Sequence, residues 1–160
     1  MAAQLQPASH WPGLRVIICV ASDNRKTTSS SLGMRNSVNT SELLKYRAEY
    51  SVPARSDNSL SLSLLCILYL MFRTEKIIKA IQEKDFQAFA DITIRDSNQF
   101  HAICQDTFPP CVYMNQTSHS VSSLIHQLNE YFGEMVACYT FDAGPNACIF
   151  LLEKVGLQLA

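Results

Sequence analysis

The sequence predicts an α+β domain, a small antiparallel sheet with helices packed on one face. Three observations carry this expectation. A β-branched apolar run lies near the amino terminus, segments of helical periodicity fill the middle, and two short apolar runs near the end are joined by a tight turn. Leu14 to Ala21 (LRVIICVA) follows Trp11-Pro12-Gly13 and reads as a buried core strand entered from a turn. Asp23 to Ser31 is polar and rich in hydroxyl side chains, suited to a loop or to the capped start of a helix over Gly33 to Val38. Thr40 or Ser41 can cap a second helix reaching Tyr50, with Glu42 in the first turn, where the helix dipole favours a negative charge.

Asp85 can cap a further helix in which Phe86, Phe89, Ala90 and Thr93 recur at i, i+3, i+4 and i+7. The same stripe turns polar through Ser97 and His101. Thr107 to Pro110 breaks the pattern, and Ser118 can start a helix with the face Val121, Leu124, Ile125 and Leu128, stopped by Gly133. Val136 to Phe141 and Ala147 to Leu152 then read as neighbouring strands connected by Asp142-Ala143-Gly144-Pro145-Asn146.

At 160 residues the chain has the size of one domain, and residues 1–160 are taken as a single unit. A net charge of −1 offers no broad basic surface, so nucleic acid is not an expected ligand. Charged residues make up 17%, below the roughly 25% usual for soluble domains, which predicts an apolar surface somewhere on the molecule. The six cysteines lack C-x-x-C spacing and read as reduced, mostly buried thiols of a cytoplasmic protein, with no metal site. Met1 to His10 lacks the pattern of a secretory signal. Leu60 to Phe72 is apolar but shorter than the about 20 residues a bilayer span needs, so no membrane attachment is expected.

Taken by itself, Asp142 ahead of Gly-Pro-Asn reads as a turn former. The string Ala137 to Ala147 (ACYTFDAGPNA), however, closely resembles the AYTFDAGPNA signature of diphosphomevalonate decarboxylases. Arg95 to Asn115 (RDSNQFHAICQDTFPPCVYMN) is similar to the same family's DSNxFHAxCxDxxPPxxYxN segment. HWPGLRV from His10, SLGM from Ser31, TSELL from Thr40 and VPAR from Val52 also fall in family order.

The resemblance implies the carboxyl-terminal domain of the galactokinase, homoserine kinase, mevalonate kinase and phosphomevalonate kinase superfamily. It also implies ATP-dependent decarboxylation of (R)-5-diphosphomevalonate to isopentenyl diphosphate for isoprenoid and sterol synthesis, in a cytoplasmic homodimer. On that resemblance Asp142 is the catalytic carboxylate beside the tertiary hydroxyl of the substrate, where it accepts or orients the proton. Gly144 lets the backbone bend close to it. Ser31 stands where the family places a threonine hydroxyl on the substrate diphosphate, and it reads equally as an ordinary helix cap. Arg25 and Lys26 read as phosphate contacts or as solvated charges. Ser97, Asn98 and His101 are supporting candidates that satisfy interior hydrogen bonds, and Cys104, Cys111 and Tyr113 read as packing.

The family's phosphate loop and catalytic arginine have no counterpart in this sequence. ATP with Mg2+ is therefore expected to bind mainly to an amino-terminal half that this chain does not contain, and the chain is expected to be catalytically incomplete alone. The alternative is an inactive fragment or splice product that associates with full-length enzyme. Ser56 to Phe72 has no place in the family pattern and reads as an insertion that interrupts a helix, of the kind a retained intron or mis-joined exon produces.

Overall fold

The structure is a computed structural model that describes residues 4–22, 28–49 and 62–153, with only the backbone for residues 48, 49 and 62–72. Arg25, Lys26, the Val52–Arg55 motif and the first part of the 56–72 stretch lie outside the described residues. A short 3-10 turn (Ala8–His10) leads into β1 (Leu14–Cys19). Five helices follow, α1 (Ser30–Thr40), α2 (Glu42–Glu49), α3 (Leu62–Glu83), α4 (Phe86–Asp106) and α5 (Gln116–Phe132), and β2 (Ala137–Phe141) and β3 (Ala147–Leu152) complete the fold. The three strands form one antiparallel sheet in the order β1-β3-β2, with Val16 opposite Phe150 and Phe150 opposite Cys138. The expected α+β layout is present, with α4 and α5 packed against β2 and with α3, α2 and α1 leaning on α4.

Several helix ends are where sequence chemistry puts them, although α5, capped by Asn115, starts at Gln116 and not at the expected Ser118. The Asp85 side chain accepts the Ala88 N–H at 3.1 Å and starts α4, while Gly133 adopts a positive φ of 68° and stops α5. Ser41 ends α1 and caps α2, its hydroxyl accepting the Leu44 N–H at 3.0 Å. The buried side of α4 carries Phe86 and Phe89, which meet Trp11 edge-on at ring distances of 6.5 and 5.8 Å, and Phe89 meets Phe150 at 5.4 Å. This aromatic cluster joins the amino-terminal turn, the central helix and the middle strand into one core.

Three further expectations need correction. Helix α1 begins at Ser30, ahead of the expected Gly33, because Ser29 accepts the Leu32 N–H at 3.2 Å and supplies the cap. Strand β1 is not buried: Val16, Ile17 and Ile18 are 51%, 49% and 57% exposed. It lies at the margin of the sheet, paired among the described residues only with β3, so its β-branched composition reports strand propensity and not coverage. Leu124 is 62% exposed, since the inward stripe of α5 runs through Ser118, Ile125 and Asn129 and leaves it at the side. The described part of the 56–72 stretch is regular. Residues 62–72 are helical and run unbroken into 73–83, as a leucine-rich segment without Gly or Pro can. Among the described residues no helix is long and apolar enough to cross a membrane.

Candidate functional site

Strand β2 is the other margin of the sheet, and its outward peptide groups require partners that no strand supplies. In an extended chain the N–H and C=O of one residue point to the same side, and alternate residues share that side. Asn129 of α5 meets both groups of Ala137, its Oδ1 accepting the N–H at 3.1 Å and its Nδ2 donating to the C=O at 2.9 Å. The same Oδ1 accepts the Val136 N–H at 2.9 Å. At the far end of the strand, Ser97 Oγ accepts the Phe141 N–H at 3.1 Å and His101 Nε2 bonds the Phe141 C=O at 3.2 Å. Side chains of two helices thus stand in for a neighbouring strand at the two ends of β2.

Asp142 follows Phe141 directly, at the rim of an open cleft of about 670 Å³ between the first turns of α1, the second half of α4 and the end of β2. Its walls include Ser30, Gly33, Ser97, Cys104, Tyr113 and Asp142. The loop after Asp142 is tied down on both sides. Gly144 donates to the Asp142 carbonyl at 2.7 Å, Ser118 donates to the Pro145 carbonyl at 2.8 Å, and Asn146 Oδ1 accepts the Ala21 N–H at 2.9 Å. The Asp142 carboxylate itself is exposed and hydrogen-bonds to nothing among the described residues, although it lies close enough to His101 to favour its charged form. A carboxylate with free lone pairs on an anchored loop can accept a proton from a bound hydroxyl.

The amino-terminal end of α1 reaches the same cleft through Ser30, while Ser31 is exposed and is not among the lining residues. Ser31 is also not the helix cap, a role filled by Ser29. Gly33 is required by close packing. A β-carbon there would collide with the Tyr113 hydroxyl and would lie 3.4 Å from Cys111 Sγ. Tyr113 in turn donates to the Ser29 carbonyl at 3.4 Å and so ties the cleft floor to the start of α1. Gly33→Ala is therefore expected to destabilise the fold by about 1–3 kcal/mol through overpacking, although alanine is the better helix former by about 1 kcal/mol. Urea denaturation checks this, and adding Tyr113→Phe, which deletes the colliding oxygen, is expected to recover part of the loss.

Burial holds the His101 pKa below its ordinary value, so the ring is mainly neutral at pH 7. Since a carbonyl can only accept, its Nε2 carries the hydrogen that goes to Phe141. Burial first, and Cys111 second, push the Cys104 thiol up to about 11, and burial pushes Cys138 up to about 12, so neither is a nucleophile near neutrality. Among the described residues no group of His, Cys, Asp and Glu gathers in a way that would hold a metal ion, and no residue is assigned to magnesium. Asn98 is drawn into a different contact, accepting from the Tyr139 hydroxyl at 3.1 Å, with His126 on the same hydroxyl at 3.2 Å.

A family model described as "Mevalonate 5-diphosphate decarboxylase C-terminal domain" matches residues 16–62 and 67–159, with the break inside the 56–72 stretch. The chain belongs to this family. It is 48% identical to the diphosphomevalonate decarboxylase of Rattus norvegicus over 96% of its own length and 34% of that protein, and 46% identical to the Homo sapiens protein over the same shares. It therefore spans about a third of the length of these curated relatives. A crystal structure of mevalonate 5-diphosphate decarboxylase superposes on 98% of the chain with a TM-score of 0.82 at 42% identity, covering 36% of that structure. The enzyme from Trypanosoma brucei does so over 98% and 38% of the two chains, with a TM-score of 0.79 at 30% identity.

Two features of this chain were not singled out from the sequence. Arg47 on α2 lines the cleft and pairs with Asp96 at 2.9 Å, and Arg73 approaches the same carboxylate at 3.6 Å. Asp96 stands inside the quoted DSN motif, which was the available signal. Asn129 had a signal too, as an amide on the inward stripe of an otherwise apolar helix face.

Proposed function

We propose that this chain forms the substrate-facing wall of an ATP-dependent carboxy-lyase that converts (R)-5-diphosphomevalonate to isopentenyl diphosphate, with Asp142 as the proton acceptor. The observation that carries the reading is a carboxylate, unpartnered among the described residues, on a loop anchored at both ends, which lines the same open cleft as Ser30 and Gly33 of α1. The names of the relatives support it, as does a fold neighbour at 22% identity described as "MDDEF in complex with MVAPP, AMPPCP and Magnesium".

Asp142 orients the tertiary hydroxyl and takes its proton as the oxygen attacks. ATP with Mg2+ supplies the phosphoryl group whose later departure accompanies loss of carbon dioxide. The first turn of α1, which carries Ser31 and lacks acidic residues, is the proposed diphosphate contact, where free backbone N–H groups and the helix dipole favour an anion. Apolar residues such as Met34, Val38 and Phe100 border the cleft. On this reading the protein acts in the cytoplasm, in isoprenoid and sterol synthesis, as part of a homodimer, and ATP binds mainly to sequence outside the span seen here.

The test joins this chain behind the upstream two thirds of the rat relative and measures ATP-dependent carbon dioxide release from the diphosphate, with and without the 56–72 stretch. Turnover is expected from a fusion and none from the 160-residue chain alone. Folded fusions of both kinds that bind ATP and release no carbon dioxide would overturn the reading.

A further inference from the structure

The direction of the Asp142 side chain is set entirely by its backbone, because no protein group holds the carboxylate among the described residues. Three anchors lie after it, at Gly144, Pro145 and Asn146; before it the strand is held on one side by the pairing of β2 with β3 and on the other, at Phe141, by side chains of α4. The anchor at Phe141 takes both polar groups of a single residue. Ser97 and His101 stand one helical turn apart on α4 and grip the N–H and the C=O of Phe141 from the same side. Ser97 is 4% exposed and His101 is half-buried, so water does not readily substitute for either. The edge-on contact of the His101 and Phe141 rings at 6.2 Å holds the imidazole over the residue it binds.

We propose that Ser97 and His101 are positioning residues, which fix the Asp142 carboxylate by clamping the two peptide groups of Phe141. The inference rests on Asp142 being the proton acceptor. Neither side chain touches the reacting atoms; each acts through the backbone. An aspartate rocking by about 1 Å at this point loses a share of near-attack geometry that is worth up to about 100-fold in rate.

The test uses two preparations, the 160-residue chain for spectroscopy and the active fusion for kinetics. In Ser97→Ala the Phe141 amide is expected to exchange about ten-fold faster as its bond is lost, with the Asp142 amide resonance broadened and the Tyr139 and Cys148 amides unchanged. In the fusion, Ser97→Ala and His101→Ala are expected to lower kcat by about 10- to 100-fold at an unchanged KM for ATP. His101→Gln, which keeps a donor towards the carbonyl, restores most of kcat and the sharp Asp142 signal. A His101→Ala or Ser97→Ala fusion with kcat within two-fold of the parent overturns the clamp, even if Phe141 exchanges faster. Should Ser97→Ala fail to fold, the His101 pair decides alone. Failure of the Asp142 assignment reads differently: Asp142→Asn then retains turnover while the Phe141 amide still responds to Ser97→Ala.

Discussion

Asp142→Asn, placed in the active fusion, is expected to reduce carbon dioxide release by about 10² to 10⁴ while leaving the melting temperature where it was. The two halves of this result have separate causes. Asparagine keeps the shape of the side chain and one carbonyl oxygen but has almost no basicity, so the proton of the attacking hydroxyl has nowhere to go. Stability is spared because the carboxylate is exposed and bonds to nothing within the described protein. A companion effect follows at His101, whose charged form the nearby carboxylate favours, so its titration is expected to move lower in the variant. Initial-rate assays with a coupled detection of carbon dioxide decide the matter, and a variant retaining more than a tenth of the parent kcat would remove Asp142 from the chemistry.

Asn129→Ala is expected to produce the largest loss of stability of any single side-chain truncation discussed. The amide is 8% exposed and serves three backbone groups at once: the N–H of Val136, and the N–H and C=O of Ala137. Val136 and Ala137 are themselves 4% and 3% exposed, so the orphaned groups cannot recover a water partner without opening β2 from α5. Each buried unsatisfied group costs about 1–3 kcal/mol, and even partial relaxation leaves a loss of about 3–5 kcal/mol. A domain whose total stability is about 5–15 kcal/mol is brought near unfolding by that change. Asn129→Asp is no rescue, since it keeps the acceptor, deletes the donor and buries a charge. Chemical denaturation measures both variants; an Asn129→Ala midpoint within about 1 kcal/mol of the parent would show that the edge of β2 is held in some other way.

The features legible in the sequence are those decided locally. Asp85 and Gly133 bound their helices because a carboxylate accepting a free N–H, and a backbone at positive φ, are chemistry within one turn of chain. The polar stripe Ser97 and His101 was visible as a stripe, yet its target lies forty residues on, at Phe141, and periodicity carries no information about what a face will meet. The exposure of Val16, Ile17 and Ile18 was hidden for the same reason, because burial belongs to the neighbours of a strand and not to the strand. Asp142 rested on resemblance alone. What the fold adds is the cleft beside it and the ties on either side, which turn a loop residue into a fixed one. The resemblance places a hydroxyl for the substrate diphosphate at Ser31, and the cleft lining includes its helix neighbour Ser30.

The two outer strands leave the sheet with unequal margins. Beside β2, the side chains of Asn129, Ser97 and His101 already occupy the hydrogen-bonding positions that a further strand would need. Beside β1, no described segment lies alongside, and the apolar side chains there are open. Growth of the sheet is consequently directional. The margin with room for an additional strand, whether from a longer chain or a separate molecule, is Leu14–Cys19, on the far side of β3 from β2.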